Sequence, residues 1–583
     1  MTAKATAEGA LWAMVVALLL CCSASCRNTD SEIGRDPVAP VGSKDEVRLE
    51  DRTSALGVDV MYRNGEEAGH CGILESLGGG VGWFDYDRDG WLDLVAPRGG
   101  SLGPGEVVSG LPTALLRSLV GQAFVDVSAS SGLQEPSLYS HGVAIGDYDN
   151  DGFCDLLITG YGPSQLWRNL GDGTFAAAEK WAGGLDPRWS SSAGWADFDN
   201  DGSLDLYVTR YVDWSFDNNP FCGTERDGRD ICPPRDFNGL SDSVYRSNGD
   251  GTFTDVSQEV GLRSDGKGLG VLLLDADVDG DMDAYVCNDT VDNFLYVNDG
   301  QGVFTERGLL AGVALDDEGT PNGSMGVALL DVNRDRQPDI WVANYERESF
   351  ALYRSQGKGQ FLHVSRRYGI GALGGLFVGF GTCCGDFNGD GFVDIVVANG
   401  HVIKYPLASP RKQLPLLLCL EGDRFRRYEA TAGSYFGTPH DGRGLAAGDF
   451  DNDGDLDLAL SNLNAPVAVV ENLFPVSQRH VLVELVGRRS NRDGIGAKVA
   501  LLGGAGMEVI SETQVVGGGS YLSHHDRRIH LTWPAELPIE RGRMTVRVEW
   551  PSGEVDQGPL RSPADGGQIR IVEGMPPAAD TGA

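Results

Sequence analysis

Basic residues are scarce in this chain: 47 Lys and Arg stand against 84 Asp and Glu, for a formal net charge of −37. Nucleic-acid binding needs the opposite sign on at least one face, so that class of partner is excluded. Long apolar runs are missing too. The stretch Leu11–Leu20 is too short to span a bilayer, and no other segment is a better candidate. There is no C-x-x-C pair. No G-x-S-x-G elbow, P-loop or dinucleotide fingerprint stands in the strand-to-helix context that such motifs require.

What abounds is glycine, at 82 residues, which signals many tight turns. With 41% hydrophobic residues, the acidic chain still belongs to a globular class. Its 583 residues exceed one small core and point to several domains, or to a repeat array with an added domain. The beginning reads as a targeting segment. Lys4 precedes the apolar run, and Ser23, Ala24 and Ser25 lead into Cys26, a pattern that resembles a bacterial lipoprotein cleavage site. The expectation is a leader over residues 1–26, lipidation of Cys26 as the chain's membrane attachment, and a polar tether over residues 27–47. Export to the outer membrane, cell surface or periplasm, or outright secretion, would follow. Cysteines can pair in such a compartment. Cys222 and Cys232 flank "CGTERDGRDIC" and are the best candidate disulfide. Adjacent Cys383 and Cys384 read either as buried small residues or as a redox pair.

One acidic pattern, D-x-[DN]-x-D-G-x-x-D, recurs seven times, at start-to-start spacings of 62, 50, 78, 56, 55 and 63 residues. The first copy sets Asp85, Asp87, Asp89 and Asp93 at loop positions 1, 3, 5 and 9. The next three place Asp147, Asp149, Asp151 and Asp155, then Asp197, Asp199, Asp201 and Asp205, then Asp275, Asp277, Asp279 and Asp283. The fifth has Asp331, Asn333, Asp335 and Asp339, and the sixth Asp386, Asn388, Asp390 and Asp394. The last, "DFDNDGDLD", has Asp449, Asp451, Asp453 and Asp457. Carboxylates so close repel one another unless a cation joins them. Calcium, a hard ion that takes 6–8 oxygens, fits that chemistry. The loop opens like an EF-hand, which needs a Glu at position 12. Position 12 here is Ala96, Ile158, Val208, Val286, Val342, Val397 or Leu460, always apolar. The EF-hand is excluded, and the loop joins two strands instead. In the fifth copy Arg336 replaces the glycine, a cation where another cation should sit, which puts that site in doubt.

Five residues before each cluster stands Gly80, Gly142, Ser192, Gly270, Gly326, Gly381 or Gly444. After it comes a second element, such as "LWRNLGDGTF" (Leu166–Phe175) or "VYRSNGDGTF" (Val244–Phe253), whose glycine-rich centre between apolar ends is a hairpin turn. Each repeat thus supplies about four strands. Seven such units predict an all-β fold: a seven-bladed β-propeller over residues 48–475. The segment "VRLEDRTSALGV" is expected to close the ring against the last blade.

These hairpins resemble the FG-GAP or VCBS-type repeats of integrin α-chain propellers. The resemblance implies Ca²⁺ on one face, held by the four acids or amides of each loop. The later motifs "NRDGIGAKVALL" (Asn491–Leu502), "VVGGGSYLS" (Val515–Ser523) and "VEWPSGEVDQ" (Val548–Gln557) resemble an ASPIC/UnbV domain, the module that follows such propellers in the cartilage acidic protein family. That domain is expected over residues 476–560 as a small β-sandwich or barrel, with a flexible tail over 561–583.

Seven near-identical clusters argue against catalysis, because an active site is normally single. The leading expectation is a non-enzymatic interaction or adhesion module for a protein or glycan ligand. A carbohydrate-active hydrolase or lyase, with its paired carboxylates, and a purely structural surface protein are the alternatives. The nine histidines are densest in "SHHDRRIH" (Ser523–His530), where His524 and Asp526 could serve a zinc site, although an exposed loop entering a strand is expected. His401 is a second candidate polar position. The insert Tyr211–Gly239, between copies three and four, is the first place to look for recognition.

Overall fold

The computed structural model describes residues 47–575, except 104, 135–137, 179–185, 225–227, 374, 475–478, 505–506, 535–536, 538–543 and 561–566. The leader, Cys26 and the tether through residue 46 lie outside the described residues. From Glu46 onward the chain is one compact unit.

Seven antiparallel sheets carry the order that the repeats dictate. In the second, Tyr139–Gly146 pairs with Asp155–Tyr161, then Gln165–Asn169, then Phe175–Ala177. In each sheet the aspartate loop joins the first strand to the second. The first strands of successive sheets pack on one another, and Gly442–Gly448 of the last sheet returns to Gly82–Phe84 of the first, closing a β-propeller. The last sheet takes its outer strand from the beginning of the chain: Leu49–Asp51 pairs with Ala468–Asn472. That junction fastens the ring through a strand from the opposite end of the repeat array.

Polar and aromatic ties join neighbouring sheets. The Asn169 amide donates to the Tyr86 carbonyl at 2.8 Å, Asn298 to Phe198 at 2.8 Å and Asn472 to Phe387 at 3.0 Å. Each of these carbonyls belongs to position 2 of the preceding aspartate loop. Trp83 stacks on Phe450 with ring centres 5.9 Å apart, so the first and last sheets share one core.

The C-terminal residues build two further sheets. One contains Ile529–Thr532, His480–Val486 and Gln568–Val572; the other contains Glu508–Gln514, Lys498–Gly503, Thr545–Glu549 and Val555–Pro559. Val483, Leu501, Val546, Trp533 and Trp550 are buried with them. The expected end of this domain at residue 560 is corrected. Gln568–Val572 is a strand parallel to His480–Val486, so residues 567–575 are part of the fold and not of a flexible tail. Glu573 anchors this end. It is 1% exposed and accepts the backbone N–H groups of Arg488, Arg489 and Ser490 at 2.7, 2.6 and 3.0 Å.

The segment between these two sheets runs down the centre of the propeller. Gly517–Gly518 adds to the first strand of the fourth sheet at Leu272 and Leu273. Ser520 then pairs with Val327 of the fifth sheet, and its hydroxyl accepts from Thr382 N and donates to Leu445 O of the sixth and seventh. Leu522 N donates to Ser192 Oγ of the third sheet, and Leu522 O accepts from Val143 N of the second. His524 N donates to Val81 O, and Trp83 N to His524 O, in the first sheet. This one segment, through its backbone and the Ser520 hydroxyl, therefore bonds all seven sheets. Close packing explains the glycine five residues before six of the seven loops: Gly80 meets this segment, while Gly270, Gly326, Gly381 and Gly444 meet backbone of the neighbouring sheet. A Cβ on Gly80 would lie 1.7 Å from Leu522 O, and one on Gly326 would lie 1.9 Å from Phe380 O.

The exposed loop expected over Ser523–His530 is thereby corrected. The propeller surrounds this segment because its backbone groups find partners on the inner strands. His524 Nδ1 accepts from Ile145 N at 3.5 Å and the adjacent His525 Nδ1 from Ala447 N at 3.0 Å, and burial pushes their pKa values down to about 3 and about 4. A neutral imidazole whose Nδ1 accepts carries its proton on Nε2, where a metal would otherwise bind. Asp526 is committed to Arg528 at 2.7 Å. The segment is a structural axle, not a zinc site.

Candidate metal centres

Each aspartate loop is a small, self-bonded cage. In the first, Asp85 Oδ1 and Oδ2 accept the N–H groups of Asp89 and Gly90 at 3.0 and 2.9 Å. Asp93 closes the other end, accepting Tyr86 N at 3.1 Å and Ser118 N, from the third strand, at 2.7 Å. Asp89 accepts Trp91 N at 3.1 Å. The backbone curl needs left-handed residues at positions 4 and 6, for example Asn452 at φ 58° and Gly454 at φ 100°. Asn tolerates that region, which is why "DND" recurs.

Carboxylate oxygens of Asp85, Asp87 and Asp93 come within 4.8 Å of one another; so do those of Asp147, Asp149 and Asp155, of Asp197, Asp199 and Asp205, and of Asp275, Asp277 and Asp279. Several oxygens in these cages are buried without a hydrogen-bond partner: Oδ1 of Asp87, Asp147, Asp199 and Asp277. In the seventh loop both carboxylate oxygens of Asp455 are buried and unpartnered, and Asp455 is 7% exposed. Orphaned buried acceptors of this kind are costly. Burial, joined by the neighbouring carboxylates, pushes Asp93 up to about 8, Asp147 to about 7 and Asp449 to about 8. A hard cation at the meeting point would satisfy the orphaned oxygens and restore the ionised form, so the donor set fits calcium. Asp455, at position 7, is an additional candidate ligand beyond the repeated pattern. Its signal was the fifth acid in "DFDNDGDLD".

The fifth loop keeps the fold without the glycine. Arg336 takes φ 65°, and its N–H still donates to Asp331 Oδ2 at 2.7 Å. The Asn333 amide donates to Asp335 Oδ2 at 2.8 Å, the position 5 oxygen that accepts from Arg117 and Arg168 in the first two loops. The sixth loop has the usual bonds, with Asp386 accepting Asp390 N at 3.1 Å and Gly391 N at 2.8 Å. Burial raises both Asp386 and Asp394.

Two sets of residues around the loops were not identified from the pattern. Arg117 and Arg168, on third strands, reach back to positions 3 and 5: Arg117 Nε lies 2.6 Å from Asp87 Oδ2, and Arg168 Nε lies 2.5 Å from Asp149 Oδ2. The recurrent Arg in "LLRS" and "LWRN" was their signal. The second set comes from the C-terminal domain, which packs against this face of the propeller. Lys498 Nζ is 2.9 Å from Asp275 Oδ2, Asp147 N donates to Asp493 Oδ2 at 2.9 Å, and Arg528 Nη1 donates to Asn452 Oδ1 at 2.7 Å. Only tertiary structure brings these residues to the loops.

The remaining sequence candidates lie elsewhere. Cys222 and Cys232 are joined in a disulfide, which removes both as metal ligands. Cys383 is buried, Cys384 is half-buried, and burial raises both thiols. His401 is 1% exposed at the opposite end of the propeller, 3.3 Å from Tyr345 Oη and 3.5 Å from Glu346 Oε1. The insert contains a short hairpin, Cys222–Thr224 with Gly228–Asp230, on that same end. Among the described residues, no helix is long and apolar enough to cross a membrane.

Known proteins share these features. Residues 147–208, 275–342 and 331–397 match the FG-GAP-like repeat, and residues 487–572 match the ASPIC and UnbV family. Cartilage acidic protein 1 of Mus musculus is 26% identical over 310 residues, covering 52% of this chain and 44% of its own length. That of Xenopus tropicalis is 26% identical over 373 residues, covering 59% of this chain and 51% of its own length. The chain thus spans about half the length of the curated relatives it matches. A solved Agrocybe aegerita lectin structure, described as recognising non-reducing terminal N-acetylglucosamine, covers 73% of this chain and 98% of its own at 15% identity and a TM-score of 0.35. The chain is a β-propeller with FG-GAP-like repeats followed by a region that matches the ASPIC and UnbV family, and over about half of its length it is similar to cartilage acidic protein 1.

Proposed function

We propose that this chain is an exported, calcium-loaded interaction module, held at a cell surface through Cys26, whose propeller displays a face for a protein or glycan ligand. The observation that carries the calcium reading is the convergence of carboxylate oxygens in the first four loops, where Oδ1 of Asp87, Asp147, Asp199 and Asp277 is buried and unpartnered. The acids and amides at positions 1, 3, 5 and 9 would hold the ion, with Asp455 added in the last loop. Calcium would supply charge neutralisation. The loops would then present a stable floor to the C-terminal domain through Lys498, Asp493 and Arg528. Binding is favoured over turnover because the same cage is repeated around the ring, whereas an active site is normally single.

The test is elemental analysis of the purified chain together with calorimetric calcium titration and thermal melting in chelator. Bound calcium and a chelator-lowered melting temperature are expected. A calcium-free protein with an unchanged melt would overturn the site assignment. Calcium-dependent retention of a surface protein or glycan by the immobilised chain tests the interaction reading separately.

A further inference from the structure

At the end of the propeller opposite the aspartate loops, the inner strands open onto a cavity of about 540 Å³. Six residues define its chemistry: Tyr211, Asp289, Tyr345, Glu348, Tyr405 and Leu407, which come from the third to sixth repeats. The floor is acidic and organised. Asp289 Oδ2 accepts the Tyr211 hydroxyl at 2.6 Å. Glu348 Oε2 accepts Gly323 N at 2.8 Å and Tyr345 N at 3.3 Å. A Cβ on Gly323 would lie 3.1 Å from Asp289 Oδ1 and 3.8 Å from Glu348 Oε2, so the two carboxylates flank one point. Each keeps one oxygen, Asp289 Oδ1 and Glu348 Oε1, without a hydrogen bond among the described residues. Burial pushes Asp289 up to about 6 and Glu348 to about 7, as expected for acids held close together and away from water. Among the described residues of the lining, Arg235 is the one basic side chain and is exposed, while buried Lys267, behind the lining, acts on Asp289 and opposes the rise in its pKa.

The rim is apolar and fixed in place. Leu407 is 97% exposed and Tyr405 is 51% exposed. Asp230 holds their segment by accepting Lys404 N at 2.8 Å and Tyr405 N at 3.1 Å, and the Cys222–Cys232 disulfide ties the adjacent hairpin. Exposed large apolar side chains around a concave site mark a docking surface. Two open carboxylate oxygens at the bottom call for a cation, and tyrosine faces suit both an ammonium head and an alkyl stem. A neutral sugar would bring no positive charge to these carboxylates beyond that of Lys267, which already acts on Asp289.

We propose that this mouth cavity binds a lysine side chain presented by a protein partner, with the ammonium between Asp289 and Glu348 and the flanking apolar residues on Tyr405 and Leu407. This rests on the reading of the chain as an interaction module and names the partner's chemistry. The experiment uses the full calcium-saturated chain and fluorescence anisotropy with two short labelled peptides, one with a central lysine between leucines and one with norleucine in its place. The lysine peptide is expected to bind about thirtyfold more tightly, the scale for pairing a desolvated charge. The double variant Asp289→Asn, Glu348→Gln should abolish that preference. Leu407→Ser, at a site too exposed to affect folding, should weaken both peptides and leave their ratio unchanged. Equal affinity for the two peptides, no binding at millimolar concentration, or a lysine preference that survives in the double variant overturns the assignment. In those cases calcium-dependent retention of a partner would keep the broader module reading alive, whereas its loss would remove both.

Discussion

Ser520 and Val327 exchange both of their backbone hydrogen bonds, 2.6 Å from Ser520 N to Val327 O and 3.1 Å in return, although one belongs to the axle and the other to the fifth sheet of the ring. The Ser520 side chain adds bonds to two more sheets. The C-terminal domain is therefore built into the propeller and not merely appended to it.

Ser520→Ala should show this. It leaves the Thr382 N–H and the Leu445 carbonyl buried without their partner. We expect a loss of about 2 kcal/mol in urea unfolding, the usual cost of stranding buried polar groups. An unchanged unfolding midpoint would mean that the axle contributes nothing to ring stability.

Gly80→Ala should be more severe. The new methyl would overlap Leu522 O, and backbone on both sides leaves little room to relax. A loss of about 3 kcal/mol, or failure to accumulate as folded protein, is expected. Gly90→Ala is the comparison: no atom lies within 4 Å of its Cβ. Its cost is limited to backbone strain at φ 89°. Equal effects at the two sites would refute the axle as the cause.

Asp455→Asn separates a calcium cage from a merely acidic turn. Without metal the substitution removes a buried, repelled charge, so the chelated protein should melt higher. With calcium it removes a ligand. The calcium-induced rise in melting temperature should shrink by about 2 °C, the change that roughly 1 kcal/mol produces in a large domain. A calcium-induced rise equal to that of the unsubstituted chain would exclude Asp455 as a ligand.

Glu573 gives a pH signature. Burial raises its pKa, but the Ser552 hydroxyl and the N–H groups of Arg488, Arg489 and Ser490 outweigh that and hold it at about 2. The folded value lies below the unfolded one. Its stabilisation is therefore full above the ordinary carboxylate range and is lost as pH falls towards 2. Glu573→Gln should cost on the order of 2 kcal/mol at neutral pH and progressively less in acid. A pH-independent penalty would mean that packing, not charge, anchors this end of the chain.

Much of this was legible in the chain itself. Charge repulsion makes "DFDNDGDLD" meaningful wherever it occurs, and the apolar residue at position 12 decides between helix and strand beside it. Local alternation and turn chemistry carry the rest of each repeat, so the sheets and the loop cages follow from short-range rules. The end of the C-terminal domain was not legible, because Gln568–Val572 pairs in parallel with a strand far earlier in the chain. "SHHDRRIH" was misread for a related reason: polar residues suggest solvent unless a distant backbone satisfies them.

The sequence alone determined that seven acidic hairpins would form and that each would gather oxygen ligands, since spacing and charge act within a few residues. Only the tertiary structure decided that Val515–Arg528 runs through the ring, that Lys498 and Arg528 reach the loops, and that Asp289 and Glu348 share one cavity. Those relationships depend on backbone groups and charges brought together from remote parts of the chain, and no local pattern encodes them.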